Sequence, residues 1–343
     1  MGFFKKTVVG IEATTAGVRV VEVEISRAPR VVSLGEALIS LDEQHHGTGL
    51  DVITVSAKLE EALAIAKPRR VTTRDAYLTV PEDKVFRKIL EIPASVTDAE
   101  LAMVVRSEVA SYLPTDLESM EIDYQVLPRR ANQIAQTAKE AAKESKEKKR
   151  ASEDKDDKDE KVEEKPVGQP PLYVSVVAVD KQVVQEAIAL CSHTKLQPVS
   201  IDTRPAAIAR AVVSPKDLDV AIVIEWHGGE AMVAVVERGV VWATGMTKAG
   251  EDTGVAAAAI ADEIEHAVKF FMNRTGSTSQ ISQAYVVSSH VEAPGLREDL
   301  EKVMDSDTKV VEGVPVIPFP AGGDARYSAA LGGALYSLYA TLL

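Results

Sequence analysis

Residues 7–25 read TVVGIEATTAGVRVVEVEI, and this stretch decides the fold class. Its β-branched residues form two runs, Thr7–Glu12 and Val18–Ile25, on either side of the small residues Ala13–Gly17. Such a pattern is typical of two strands joined by a short turn. A third strand and a helix are predicted next, at Val31–Ile39 and Asp51–Ala66. Three sequential strands followed by a helix indicate an α/β sheet with mixed strand directions.

The same pattern returns later in the chain. Residues 220–237 read VAIVIEWHGGEAMVAVVE, which predicts two strands around another small-residue turn. A third strand, Val240–Lys248, and a long helix, Thr253–Arg274, follow as before. An acidic residue ends the first strand of each unit, Glu12 in one and Glu225 in the other. This internal repeat predicts two related halves around a cleft.

Between the two repeats the sequence alternates between strand and helix patterns. We predict strands at Ala76–Val80, Val85–Ile92, Met120–Leu127, Leu172–Val179 and Gln197–Asp202, and helices at Asp98–Leu113, Lys181–Lys195 and Pro205–Val212. The first of these helices has its N-terminus marked by Thr97 with Glu100 three residues later, which is the pattern of a capping box.

Residues 129–171 differ sharply in composition from the rest. They hold twelve basic and eleven acidic residues and no aromatic residue. We interpret this segment as a flexible, solubilising insertion, with a dedicated interaction tail as the alternative. The chain carries −13 in total, so removing the +1 of this segment leaves −14 on the remainder. Such acidity argues against nucleic acid and anionic lipid as direct partners.

The single cysteine, Cys191, can form neither an internal disulfide nor a thiolate metal site, which favours the interior of a cell. Its place on the inner face of a predicted helix indicates a buried thiol and not a nucleophile. The adjacent His45 and His46 are interpreted as surface residues because no further ligand lies near them in sequence. We find neither a signal peptide nor an apolar run long enough to span a bilayer, so direct membrane insertion is not expected.

An ordered series of motifs runs through the chain outside the charged segment. Its members are GIEATT (10–15), VRVVE (18–22), LEIP (90–93), EVASYLP (108–114), DYQVL (123–127), IDTRPAAIAR (201–210), ADEI (261–264), PGL (294–296) and YSAALGGAL (327–335). In order and approximate spacing the series resembles the actin-like superfamily. Within it, residues 108–127 are most similar to the PilM family of type IV pilus assembly proteins, relatives of FtsA.

This resemblance implies an α/β, actin-like (ribonuclease H-like) fold of two lobes with a small inserted α+β subdomain. The lobes would cover residues 1–75 and 203–343, and the subdomain 76–202, with the charged segment within it. PilM-like proteins are cytoplasmic and bind the N-terminal peptide of the inner-membrane protein PilN, and they join the other proteins of the pilus platform. We therefore expect a cytoplasmic scaffold held at the inner membrane through a protein partner, with the peptide near Val85–Ile92 and Glu108–Pro114.

The resemblance also implies a nucleotide site, but its glycines are replaced. The usual turns carry Asp-x-Gly, so that backbone N–H groups can approach phosphates. Here the first turn has Glu12 and Thr14 at these positions, and the second has Glu225 and His227. The adenosine loop, 287–293, lacks its usual glycine pair. We therefore expect at most a degenerate site for ATP with Mg²⁺ and no catalytic residue.

The residues that this site would use are spread over both lobes. They are Glu12, Thr14, Thr15, Arg19, Glu225, His227, Gly228, Gly229, Glu263, Ser288 and Ser289. The alternative hypothesis is a functional ATPase of the FtsA type that polymerises. A third class, a sugar kinase on the same fold, has no assignable aspartate base.

Overall fold

The computed structural model describes residues 6–40, 51–113, 116–127, 171–214, 216, 219–227, 229–288, 295–305 and 307–339. Two compact units are formed. The larger unit comprises Met1–Phe86, Val179–Phe271 and Ser279–Leu343, and the smaller unit comprises Arg87–Ala178 and Met272–Thr278. His45 and His46, which were interpreted as surface residues, and the charged segment up to residue 170 lie outside the described residues.

The strands, in chain order, are β1 (Lys6–Thr14), β2 (Gly17–Ile25), β3 (Arg30–Leu38), β4 (Asp75–Val80), β5 (Val85–Ile92), β6 (Met120–Val126), β7 (Leu172–Asp180), β8 (Gln197–Thr203), β9 (Val220–His227), β10 (Glu230–Glu237), β11 (Val240–Lys248), β12 (Ile281–Ser288) and β13 (Lys309–Glu312). The α-helices are α1 (Val52–Ile65), α2 (Asp98–Ala110), α3 (Lys181–His193), α4 (Arg204–Val212), α5 (Thr253–Thr275), α6 (Leu296–Val303), α7 (Ser328–Ala334) and α8 (Tyr336–Tyr339).

The larger unit contains two five-stranded sheets with the same topology. The first has the order β3-β2-β1-β4-β8 and the second the order β11-β10-β9-β12-β13. In each sheet the first three strands pair antiparallel, and the last two join in parallel. The internal repeat predicted from the two quoted stretches is confirmed, and it extends over all five strands.

Alternation along β1 sends its residues into two different hydrophobic clusters. Val9 and Ile11 belong to a cluster with residues of α1 and α3. Val8 belongs to another cluster, which includes residues of α4, α7 and the second sheet. Because side chains in a strand alternate between faces, Gly10 and Glu12 lie on the same face as Val8.

Helices α4 and α7 pack on that face, and they do so at very short distances. A Cβ added to Gly10 would lie 1.7 Å from the carbonyl oxygen of Ala330 in α7. A Cβ added to Gly332 would lie 1.7 Å from the carbonyl oxygen of Ala207 in α4. The motif YSAALGGAL is therefore rich in small residues, because the backbone of α7 lies directly against the backbones of β1 and α4. This packing brings the first residue of α4 close to the end of β1.

The smaller unit contains α2 and a sheet with the strand order β5-β7-β6. It is narrower than the predicted subdomain 76–202, because β4 and β8 pair within the first sheet of the larger unit. The predicted capping box is present at the start of α2: the backbone N–H of Thr97 donates to Glu100 Oε2 over 3.0 Å.

Candidate functional site

The two acidic residues of the repeat occupy equivalent positions near the ends of β1 and β9. Glu12 pairs with Arg19 across the β1/β2 ladder, and Glu225 pairs with Met232 across the β9/β10 ladder. Both carboxylate side chains are almost completely buried, with 1% and 4% of the residue exposed. A buried carboxylate requires a counter-charge or several hydrogen bonds to offset its lost hydration.

Arg204, the first residue of α4, supplies this counter-charge to both. Its Nε lies 2.9 Å from each carboxylate oxygen of Glu225, and its Nη2 lies 2.5 Å from Oε1 of the same residue. Its Nη1 forms an ion pair with Glu12 Oε1. We call Glu12, Arg204 and Glu225 the Arg204 cluster. The planar guanidinium suits this arrangement because it presents several N–H donors in fixed directions.

The protonation of Arg204 follows from its neighbours. Burial by itself lowers the pKa of a guanidinium, but the charges of Glu12 and Glu225 and the hydrogen bond to Glu225 act in the opposite direction and outweigh it. The net result raises the pKa of Arg204 above its ordinary value. Arg204 therefore remains a cation, and the cluster joins the first sheet to the second through one positive charge.

Arg19, a predicted site residue, extends the cluster along the first sheet. Its Nη1 lies 3.4 Å from Glu12 Oε2, and its Nε donates to Glu36 Oε1 over 2.7 Å. Arg326 contacts the other oxygen of Glu36 at 3.5 Å. Arg19 thus forms ion pairs with two carboxylates of its own sheet.

A cavity of about 640 Å³ adjoins the Arg204 cluster within the larger unit. Thr14, Thr15, Arg204 and Glu225 all line it, so part of the predicted site does face one space. The ionisable side chains that line the cavity are mainly acidic. The acidic lining residues are Glu82, Asp83, Asp180, Glu186, Glu225 and Glu230, whereas the basic ones are Lys84 and Arg204.

The turn between β1 and β2 uses its threonine internally. The hydroxyl of Thr14 donates to the carbonyl oxygen of Gly17 over 3.2 Å and accepts from the backbone N–H of Ala16 at the same distance. In the second turn, Gly229 has a φ of +90°, and its carbonyl oxygen accepts from the backbone N–H groups of Ala249 and Gly250. Both of these hydrogen bonds of the Thr14 hydroxyl thus stay within the turn between β1 and β2.

The remaining predicted residues are more scattered. Glu263, in α5, lies against Gly245 of β11, where an added Cβ would come within 1.8 Å of Glu263 Oε1, and it does not line the cavity. Ser288 ends β12, opposite Trp226 of β9. The side chain of His227, together with Gly228, Ser289 and most of the predicted adenosine loop, lies outside the described residues.

The residues of this site that the structure describes do not fit ATP with Mg²⁺. The two carboxylates that would organise the cation are both paired with Arg204. An anionic triphosphate entering between them would have to separate Arg204 from Glu12 and Glu225 and would face the acidic lining of the cavity. Within the described part of the chain, no three His, Cys, Asp or Glu residues are grouped as metal ligands.

A second candidate site lies on the smaller unit. The two segments predicted to receive a peptide meet there, because Lys88 Nζ of β5 lies 3.2 Å from the centroid of the Tyr112 ring, just beyond α2. Tyr112 is 46% exposed, and Met103 of α2 is 69% exposed. Strand β5 is at one edge of the sheet formed by the described strands.

Comparison with solved structures identifies the fold. The PilM-PilN type IV pilus biogenesis complex matches with a TM-score of 0.65 over 96% of this chain and 97% of that chain, at 16% sequence identity. The chain has an actin-like fold. The predicted fold class is confirmed.

A second match has a lower TM-score. The cytoplasmic domain of EpsL, an inner-membrane component of the type II secretion system of Vibrio cholerae, matches with a TM-score of 0.48 at 10% identity over 96% of this chain and 95% of that one. A TM-score this low supports no inference about the present chain. No family model and no curated protein matches in sequence comparison.

Two further expectations concern Cys191 and the membrane. Cys191 is buried against residues of α1 and the first sheet, as predicted, and burial raises the pKa of its thiol to about 11. No helix in the described ranges is both long and apolar enough to cross a bilayer.

Sequence reasoning missed the role of Arg204. It stands in the IDTRPAAIAR motif, directly between a predicted strand and a predicted helix that begins with Pro205. An arginine at the start of a helix is unfavourable for the helix dipole, and this was the available signal that a nearby acidic group compensates it.

Proposed function

We propose that this protein is a cytoplasmic scaffold of a type IV pilus inner-membrane assembly complex. It binds the N-terminal peptide of a PilN-like membrane protein and acts without hydrolysing a nucleotide. The observation that carries the proposal is the match in fold to the PilM-PilN complex over almost the whole of both chains. The motifs EVASYLP and DYQVL, which lie in and around the smaller unit, support the same assignment.

The exposed residues of the smaller unit supply the peptide contacts. An extended peptide can add to the edge of β5 through its backbone, while apolar side chains of the peptide pack on Tyr112 and Met103. Tyrosine is well suited to this role because it offers a large, rigid surface at a low cost in conformational entropy.

Attachment to the membrane runs through that partner and through the other platform proteins. Outside the charged segment the chain carries −14, and this charge repels the anionic surface of a membrane. A direct electrostatic attachment to lipid is therefore unfavourable, whereas a bound transmembrane partner needs no such attraction.

The site geometry argues against the alternative of an FtsA-type ATPase. Hydrolysis needs a bound cation and an oriented water beside the phosphates, and Arg204 already pairs with both candidate carboxylates. A steady-state assay with ATP and Mg²⁺ should give no turnover above a buffer control.

Peptide binding is tested by isothermal calorimetry. The ligand is a synthetic peptide from the cytoplasmic N-terminus of a PilN-like single-span protein from the same organism. We expect micromolar binding that Met103→Glu and Tyr112→Ala each weaken at least tenfold, since each removes an apolar contact. Ile53→Glu is the matched control, because Ile53 is also an exposed apolar residue of a helix, at 77%, but lies in α1 of the larger unit.

Absence of binding to the wild-type protein contradicts the proposed function. Equal weakening by Ile53→Glu and Met103→Glu would show that the peptide does not use the surface of the smaller unit.

A further inference from the structure

We propose that Arg204 is a permanent internal occupant of the cleft, which takes the place of a nucleotide and its cation and joins the two sheets of the larger unit. This inference rests on the actin-like fold and on the Arg204 cluster, and it does not depend on the proposed peptide partner. Its basis is the disagreement between the ligand that the fold implies and the residues that are present.

The three charges of the Arg204 cluster lie where the two sheets of the larger unit meet. Glu12 belongs to the first sheet and Glu225 to the second, at equivalent places in the repeat. Only 12% of the Arg204 side chain is exposed, and 2% and 5% of the two glutamate side chains. Water therefore screens these charges weakly, and the two carboxylates would repel each other without the cation between them.

Arg204 is held in place by the helix to which it belongs. It is the first residue of α4, its neighbour Pro205 fixes the helix start, and α4 packs closely against α7 through Ala207 and Gly332. A tethered side chain loses no translational freedom when it binds, so a free ligand competes with it at a disadvantage. A free nucleotide would therefore have to displace an arginine that the fold already holds between the two carboxylates.

The cavity beside Arg204 is poorly suited to an anion. The residues that line the adjoining cavity are mainly acidic, and Lys84 is the basic lining residue besides Arg204. The hydroxyl of Thr14 is used within its own turn. Among the described residues the cavity therefore offers little to an incoming phosphate chain, even if Arg204 swings away.

Thermal unfolding of three variants tests the role of the charge. Arg204→Ala leaves the buried carboxylate of Glu225 without its cation and that of Glu12 with Arg19 alone, at 3.4 Å, and we expect the unfolding midpoint to fall by roughly 10 °C. The triple variant Glu12→Gln, Arg204→Met, Glu225→Gln removes all three charges and should recover at least half of that loss. Arg210→Ala is the matched control.

Arg210 is a suitable control because its burial is close to that of Arg204, whereas its partners, which include the Tyr336 ring 5.1 Å away, are different. It also lies in α4, its side chain is 13% exposed, and it pairs with Asp202 at 2.7 Å and with the carbonyl oxygen of Gly332 at 2.7 Å. Its loss should not be recovered by adding Glu12→Gln and Glu225→Gln. The contrast separates a bridge between carboxylates of two sheets from the general cost of deleting a buried arginine.

Ligand titration tests whether the cleft is already filled. The wild-type midpoint should shift by less than about 1 °C with millimolar ATP and Mg²⁺, whereas a ligand at a hundred times its Kd would raise it by several degrees. A concentration-dependent rise in the wild-type protein would overturn the proposal. So would an Arg204→Ala variant as stable as wild type, or a triple variant no more stable than Arg204→Ala.

Peptide binding provides the separation from the proposed function. If ATP stabilises the protein while the peptide still binds, the scaffold role survives and the role of Arg204 does not. If the cluster behaves as expected and no peptide binds, the role of Arg204 survives and the scaffold role does not.

Discussion

At the scale of single residues, burial decides what the ionisable groups can do. Arg204 remains charged because two carboxylates outweigh the cost of its burial. Cys191 has no such partner in its apolar surroundings, so burial raises the pKa of its thiol from 9.0 to about 11. One group is therefore a fixed cation, and the other is a neutral, unreactive thiol at physiological pH.

The Cys191 thiol should be a probe of unfolding. With a thiol reagent at pH 8, we expect the native protein to react at least a hundredfold more slowly than the protein in urea, because the side chain is buried and its thiolate is scarce. The rate is followed by absorbance, and Cys191→Ala with Ser192→Cys is the control, since residue 192 is exposed. Fast labelling of the native wild type would contradict the burial of this residue.

The same thiol predicts how stability depends on pH. Its pKa is higher in the folded protein than in the unfolded chain, so folding favours the neutral form. This contribution to the free energy of unfolding is present below pH 9 and is lost as the pH rises toward 11. Urea titrations of wild type and Cys191→Ala should therefore differ more at pH 8 than at pH 11.

At the scale of secondary structure, the first sheet depends on a helix that approaches it at backbone distance. Strand β1 alternates between two clusters, and its glycine faces α7. Helix α7 in turn needs glycine where it meets α4. The approach matters for the site because α4 begins with Arg204.

We expect Gly10→Ala to destabilise the protein by about 3 kcal/mol or more, since the new methyl group overlaps backbone that cannot move alone. Gly254→Ala is the control: it lies in the first turn of α5, its nearest neighbour to an added Cβ is a side-chain oxygen at 3.4 Å, and alanine favours a helix. Urea unfolding measures both. A Gly10→Ala protein as stable as wild type would mean that α7 does not pack this closely on β1.

At the scale of the whole molecule, the two strands that flank the charged segment lie side by side in one sheet. Strand β6 ends at Val126 and β7 begins at Leu172, and the two are neighbours in the sheet. The backbone N–H of Leu127 donates to the carbonyl oxygen of Tyr173 over 2.8 Å. A short turn can therefore connect these strands in place of the segment.

Replacing residues 129–170 with a four-residue Asn and Gly turn should leave the unfolding midpoint within about 3 °C of wild type, because a long loop costs little more to close than a short one. The net charge should change only from −13 to −14, since the deleted residues carry +1. Calorimetry and peptide binding measure the outcome. Loss of peptide binding with an intact fold would instead support the alternative of an interaction tail.

The sequence by itself determined most of the secondary structure and the repeat. Runs such as Val18–Ile25 and the Thr97 and Glu100 capping box are local signals, and they were located within a few residues. Strands β12 and β13 were not predicted, since β12 reads ISQAYVVS without a strict alternation of polar and apolar residues and β13 has only four residues. The subdomain was predicted over residues 76–202, whereas the smaller compact unit comprises Arg87–Ala178 and Met272–Thr278, because strand pairing joins distant segments.

The sequence also singled out Glu12 and Glu225 and the replaced glycines beside them. Only the tertiary structure decided that Arg204 lies between these carboxylates, that Thr14 closes its own turn and that Glu263 lies away from the cavity. The physical reason is that local propensity acts over a few residues. An ion pair between two sheets depends instead on how closely α4 and α7 can pack against them.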